Sequence, residues 1–229
     1  MLVRFLSVVL FWGCAVASLA EPVTRIEVIL ERNERSVEIF VGLPAEAMVS
    51  AFGLPPQTFE NDAGVVEFST LREGTFETGD VFFAGLEMSL AGQTVPLEAM
   101  SMMVHPEDAK LEFNTPWDGL IAIAVCTVEE PEVPVGLSGL YAYAGAIAYL
   151  DGATGQIELS LPHLAEAGYE LHVRDFTHGV GQASTQYVLQ PGETIIVPSR
   201  ETGVLSASVL SAVALALAMI GLVWVRVKR

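Results

Sequence analysis

The feature that most constrains this chain is an uncharged run from Val204 to Val225, followed at once by Arg226, Lys228 and Arg229. The run is dominated by Val, Leu, Ala and Ile. At 1.5 Å rise per residue, a helix of this length covers about 33 Å, enough for the ~30 Å hydrocarbon core of a bilayer. Trp224 stands where an interfacial aromatic belongs, and the three cations belong on the cytoplasmic side. A buried core helix is seldom apolar all round and then closed by three charges. The expectation is therefore a single-pass type I arrangement: a transmembrane helix over 204–225, a basic tail over 226–229, and the bulk of the chain on the outer face. Within the helix, Ser208, Ala212 and Ala216 recur every four residues, a small-residue stripe that permits close helix–helix approach and a helix-mediated dimer.

The other end reads as an export signal. Arg4 precedes an apolar run from Phe5 to Val16, Ser18 and Ala20 supply the small residues a signal peptidase inspects, and Glu21-Pro22 turns the chain polar. The run is too short to cross a bilayer, so residues 1–20 are expected to be cleaved. Lipid attachment at Cys14 is disfavoured by bulky Phe11 and Trp12 just before it.

What remains, residues 21–203, is strongly acidic. All 28 Asp and Glu of the chain lie there, against seven of its 11 Lys and Arg, giving a net charge of −21. That charge repels nucleic acid and anionic lipid, and it favours solubility or a basic partner. Once the signal is removed, Cys126 has no cysteine to pair with, and no Asn opens a glycosylation sequon. Both features suit a bacterial periplasm, with the domain held at the inner membrane. Cys126 itself lies in an apolar run, which predicts a small buried hydrophobe.

Alternating apolar and polar residues bounded by Gly, Pro, Asn and Asp predict many short strands. Thr24–Leu30 and Ser36–Val41 flank a charged turn as a hairpin. Val65–Thr70, Val81–Leu90 and Thr94–Val104 continue the alternation, with a turn at Ala91-Gly92. The apolar stretch 119–128 predicts a central strand buried on both faces. Segments 138–150 and 155–161 flank Asp151-Gly152-Ala153-Thr154 as a second hairpin, and 169–174, 185–189 and 194–197 complete the set. Short helices are predicted over 44–52 and 162–167, each opened by Pro and closed by Gly. The fold class implied is mainly β, a β-sandwich with two short helices. Glu129-Glu130-Pro131-Glu132-Val133-Pro134 cannot continue a buried strand. It is a linker or loop (129–134) dividing a main β region (21–128) from a second (135–198), which completes the sandwich or forms a small one of its own. Residues 199–203 serve as a short stalk.

Residues Leu164 to Val173 place a tight corner before a strand opened by Tyr169. This resembles the tyrosine corner of immunoglobulin-like and fibronectin-like sandwiches, in which the phenol bonds to upstream backbone.

Candidate sites are few. Met100, Met102, Met103 and His105 offer thioether and imidazole groups of the kind Cu(I) prefers. Strand alternation puts Met100 and Met102 on one face and Met103 and His105 on the other, so copper would need further ligands. Asp175 and His178, with His172, fall near a predicted loop where binding residues gather. The acid pairs Glu107-Asp108 and Glu129-Glu130 carry no calcium-loop pattern, and nucleophile-elbow and zinc-helix motifs are absent. The reading is a non-catalytic binding or assembly module for a protein partner near the membrane, with copper handling as the alternative.

Overall fold

The computed structural model describes residues 23–149 and 155–198. The expected signal peptide, the 151–154 turn, the stalk, the membrane helix with Ser208, Ala212 and Ala216, and the tail with Arg226, Lys228 and Arg229 all lie outside the described residues. Among the described residues no helix is long and apolar enough to cross a membrane.

The predicted first hairpin forms: β1 (Thr24–Arg32) pairs antiparallel with β2 (Ser36–Pro44), from Glu27 opposite Gly42 to Arg32 opposite Val37. β2 then pairs with β6 (Leu140–Tyr149), and β6 with β5 (Glu98–Pro106). On the other side β1 runs parallel to β8 (Tyr169–Thr177), which forms a hairpin with β9 (Val180–Leu189). The resulting six-stranded sheet has the order β5-β6-β2-β1-β8-β9. A second sheet is built from β3 (Glu87–Leu90), β4 (Gln93–Val95), β7 (Ile157–Ser160) and β10 (Thr194–Val197), in the order β10-β7-β3-β4. The described fold is thus mainly β, with two sheets and four short α-helices: α1 (Glu46–Ser50), α2 (Phe68–Glu73), α3 (Thr75–Phe83) and α4 (Pro116–Ala122). Each sheet takes strands from both sides of residues 129–134, so the segment is a loop within one interleaved β unit.

Alternation along β1 and β2 divides the core in two. Ile26, Val28, Leu30, Val37, Ile39 and Val41 join a large cluster shared with Met88, Ile157, Leu159, Ile195 and Val197 of the second sheet. Ile29 and Phe40 point the other way, into a smaller cluster with Phe113, Ala122, Ile123, Tyr141 and Tyr143. Each fully buried large side chain contributes about 1.5–3 kcal/mol over its exposed state. Because both faces are covered, the strands buried on two sides are β1, β2 and β6.

Several expectations are corrected. Residues 119–128 are not a central strand but the end of α4 and a 3-10 turn over Val125–Thr127. The cause is a capping box: Thr115 Oγ accepts from Asp118 N at 3.2 Å, Asp118 Oδ2 accepts from Thr115 N at 2.9 Å, and Pro116 occupies the first turn. Gly119 faces Phe40 so closely that a Cβ would lie 2.5 Å from its ring. Cys126 is exposed, since the turn lifts it out of the apolar layer. Of the predicted strand 65–70 only Val66 makes a bridge, to Glu60, while residues 68–70 and 81–83 are helical, because Phe68, Leu71, Thr75, Thr78, Phe82 and Phe83 are buried at helical spacing. Residues 162–167 hold turns and no helix. β6 and β7 lie in different sheets and do not form a hairpin.

At one end of the large core Arg32 Nε donates to Asp175 Oδ1 at 2.8 Å, and Arg32 Nη1 donates to Gly155 O at 2.7 Å. Both side chains are buried, so the pair ties β1, β8 and the segment leading into β7 together away from water. Removing one partner of a buried pair strands the other charge. Asp175→Asn should cost about 3–5 kcal/mol of unfolding free energy in chemical denaturation, and an Arg32→Met/Asp175→Leu double variant should recover most of it.

Candidate functional site

Two loops meet at the end of the six-stranded sheet where β5 stops and β6 starts. Pro106 ends β5, and Glu107–Ala109 forms a 3-10 turn beyond it. Opposite, residues 129–139 return toward β6. This returning segment is pinned on its far side. Arg72 of α2 donates to Val128 O at 3.0 Å and pairs with Glu130 at 2.9 Å. Val66 N donates to Val135 O, and Leu137 N donates to Glu60 Oε1, both at 2.9 Å.

Between the loops lies an open groove of about 870 Å³. Pro106, Ala109, Pro131, Val133 and Val135 give it an apolar lining, and Glu107, Asp108, Glu129, Glu130 and Glu132 give it five carboxylates. Among the described residues only Glu130 of these five is in an ion pair. Among the described residues no cation lines the groove. Such an arrangement attracts basic groups, and its wide mouth admits a chain segment more readily than it encloses a small molecule.

The Glu107–Phe113 wall is held by groups on the sheet face beneath it. Tyr143 is fully buried; its hydroxyl donates to Leu111 O at 3.1 Å and accepts from Leu111 N at 3.0 Å. Arg174 donates to Phe113 O at 2.9 Å and pairs with Glu27 at 3.3 Å. Lys110 also reaches Glu27, at 3.3 Å, and lies 3.8 Å above the Tyr141 ring. Tyr141 OH donates to Glu27 Oε2 at 3.1 Å. Lys110 is therefore turned from the groove toward Glu27, which leaves the wall's acids uncompensated. Burial opposes ionisation of Glu27, but Lys110, the Tyr141 hydroxyl and Arg174 outweigh it and hold its carboxyl below the ordinary value of 4.5. Burial, then the Glu27 charge, pushes the Tyr141 phenol far above its usual range, so it stays a donor.

The residues singled out from sequence are dispersed. A bulge between Ala99 and Ser101 leaves Met100 as the extra residue of β5 and breaks the alternation there. Met100 consequently packs on the smaller cluster, while Met102, opposite Ala144, faces the large core. Met103 and His105 stand opposite Tyr143 and Tyr141. His105 is buried, its Nε2 2.9 Å from Ala122 O and its ring edge-on to Tyr143. Burial lowers its pKa against the opposing Ala122 carbonyl, so the imidazole is held neutral. Met102 and His105 thus lie on opposite faces, and the four residues expected for copper do not converge. Among the described residues no three His, Cys, Asp or Glu side chains group as metal ligands.

Asp175 is inside β8 and engaged by Arg32, whereas His178 sits in the β8–β9 turn with φ 50°. His172 lies 2.7 Å from Ser184 on the sheet face. Tyr169 opens β8, as read from sequence, but its hydroxyl donates to Ser50 Oγ of α1 at 2.6 Å. Sequence reasoning noted both acid pairs of the groove but not their meeting, which depends on residues 111–128 folding back over the sheet.

Comparison with protein-family models and with curated proteins finds no match for the chain.

The depressed Glu27 carboxyl contributes stability that is present above pH 4.5 and is lost as pH falls through its folded value. In acid denaturation, Glu27→Gln should be less stable than the parent at neutral pH. The difference should shrink steadily as the pH is lowered past that point.

Proposed function

We propose that this chain is a non-catalytic binding module, tethered to the outer face of a bacterial inner membrane, whose acidic groove captures a basic segment of a protein partner. The observation that carries the reading is the groove itself: five carboxylates around a proline- and valine-lined floor, with a single ion pair among them. Four negative charges without partners at close quarters are unfavourable in the free protein and are relieved when cations arrive with the partner. The strongly negative charge of residues 21–203 extends the attraction beyond the groove and speeds encounter at low salt. Apolar Val133 and the two prolines offer flat contacts for the aliphatic stems of Lys and Arg.

The scaffold we propose is a β-sandwich related to the immunoglobulin-like class, the two sheets closing over the large core. The tether rests on the uncharged run 204–225 with its following cations, and export on residues 1–20. In this arrangement the groove faces away from the anchor. It lies at the β5–β6 end of the sheet, whereas Pro198, the last described residue, is level with Asp175 and Ala183 at the other. The partner is then a protein that stands up from the membrane or approaches from the periplasm.

A fluorescently labelled Lys/Arg-rich peptide, titrated against the full chain in detergent, tests the reading. Binding should weaken steeply with added salt, and a sequence-scrambled Glu-rich peptide should not bind. Glu129→Gln/Glu132→Gln should weaken binding roughly three- to tenfold, since each exposed pair is worth about 0.2–1 kcal/mol. Equal affinity of parent and double variant would exclude the groove as the contact.

A further inference from the structure

A different pair of carboxylates lies at the opposite end of the sheet. Glu31 and Glu38 stand directly across from each other in the β1–β2 pairing. Glu31 is only 6% exposed. Its Oε1 accepts from Gly179 N at 2.8 Å, while its enclosed Oε2 has no hydrogen-bond partner. Glu38 is half-buried, and its Oε1 accepts from Asn33 Nδ2 at 3.3 Å. Among the described residues neither acid has a Lys, Arg or His within ion-pair distance. The nearest candidate in sequence, Arg32, points to the other sheet face and is held by Asp175 and Gly155.

Like charges directly opposed across antiparallel strands repel, and burial of a bare carboxylate oxygen adds a desolvation cost. Burial, followed by the Glu31 charge, pushes the Glu38 carboxyl above its ordinary value. An enclosed acceptor facing a second carboxylate calls for a positive group between them.

We propose that Glu31, Glu38 and Asn33 bind a hard divalent cation of the Ca²⁺ class. Two carboxylates can supply up to four oxygens. The Asn33 amide, rotated about its terminal bond, turns its Oδ1 toward the position its Nδ2 now occupies. Water completes the six to eight oxygens that Ca²⁺ takes. The oxygen-only donor set excludes soft copper and favours Ca²⁺ over Mg²⁺, which demands tighter octahedral geometry. Bound there, the ion would join the β1–β2 turn to the β8–β9 turn, because Gly179 already donates to Glu31.

The test is thermal unfolding of the full chain in detergent at neutral pH, with EDTA or with millimolar CaCl₂ at matched ionic strength. Ca²⁺ should raise Tm by about 3–10 °C, the shift expected for a ligand present at ten- to a hundredfold its dissociation constant. Glu38→Gln should melt higher than the parent in EDTA and lose the Ca²⁺ response. Asn33→Ser, a turn substitution that leaves the strands intact, should raise the Ca²⁺ concentration needed for half the shift. The groove variant Glu129→Gln/Glu132→Gln should keep the full response, which separates this site from the proposed peptide groove. No Tm shift with Ca²⁺, or an equal shift in Glu38→Gln, overturns the proposal. So does stabilisation by mild acid to which Ca²⁺ adds nothing, because a shared proton then holds the pair.

Discussion

The second face of the large sheet is covered because one carboxylate, Glu27, is buried in the middle of it. Its position in β1 is otherwise surrounded by aliphatic and aromatic groups, and a charge there is tolerable only when it is answered. Lys110, Arg174 and Tyr141 answer it from three separate elements, and in doing so they draw the 107–113 segment onto the sheet. Tyr143 completes the attachment by taking both backbone groups of Leu111. The groove wall, the burial of Phe113 and the seating of α4 against Phe40 all follow from that attachment. A hydrophobic residue at position 27 would pack as well but would leave Lys110 free to neutralise the neighbouring acids. The polarity of the groove is therefore set by a residue that does not line it.

How much of this was legible depends on the range over which each signal acts. Local signals served well where strands pair with near neighbours: the β1–β2 hairpin, the turn at Ala91-Gly92, where φ is positive at both residues, and β8 opening at Tyr169. They failed where a short apolar run fits two periods at once. Residues 119–128 read as strand because they are apolar throughout, yet Thr115, Pro116 and Asp118 already carried a helix start. The bulge at Met100 was invisible, since one extra residue leaves no mark on composition, but it reassigns the face of every residue before it.

The site divides in the same way. Both acid pairs of the groove were visible as residues, and nothing in their spacing said that they would meet. Glu31 fell in the charged turn and Glu38 in the strand after it, and neither stood out, because burial of a carboxylate is decided by what covers it. Asp175 was placed at a loop tip for the converse reason: its partner, Arg32, is remote in sequence and adjacent only through the parallel β1–β8 contact. Charged residues that fold into pairs across long separations are the part of this protein that periodicity cannot reach.

The strand polarity of the large sheet has one more consequence. β5 runs from the end where the described chain stops to the end that carries the groove, and its nine residues at ~3.3 Å each set those ends about 25–30 Å apart. If the chain is anchored as proposed, that length is a standoff built into the fold. A captured segment is met at a height given by hydrogen-bond register, and a loose stalk can add to that height but cannot abolish it. The domain then acts as a spacer as well as a receptor, selecting partners by how far their basic segments stand above the bilayer.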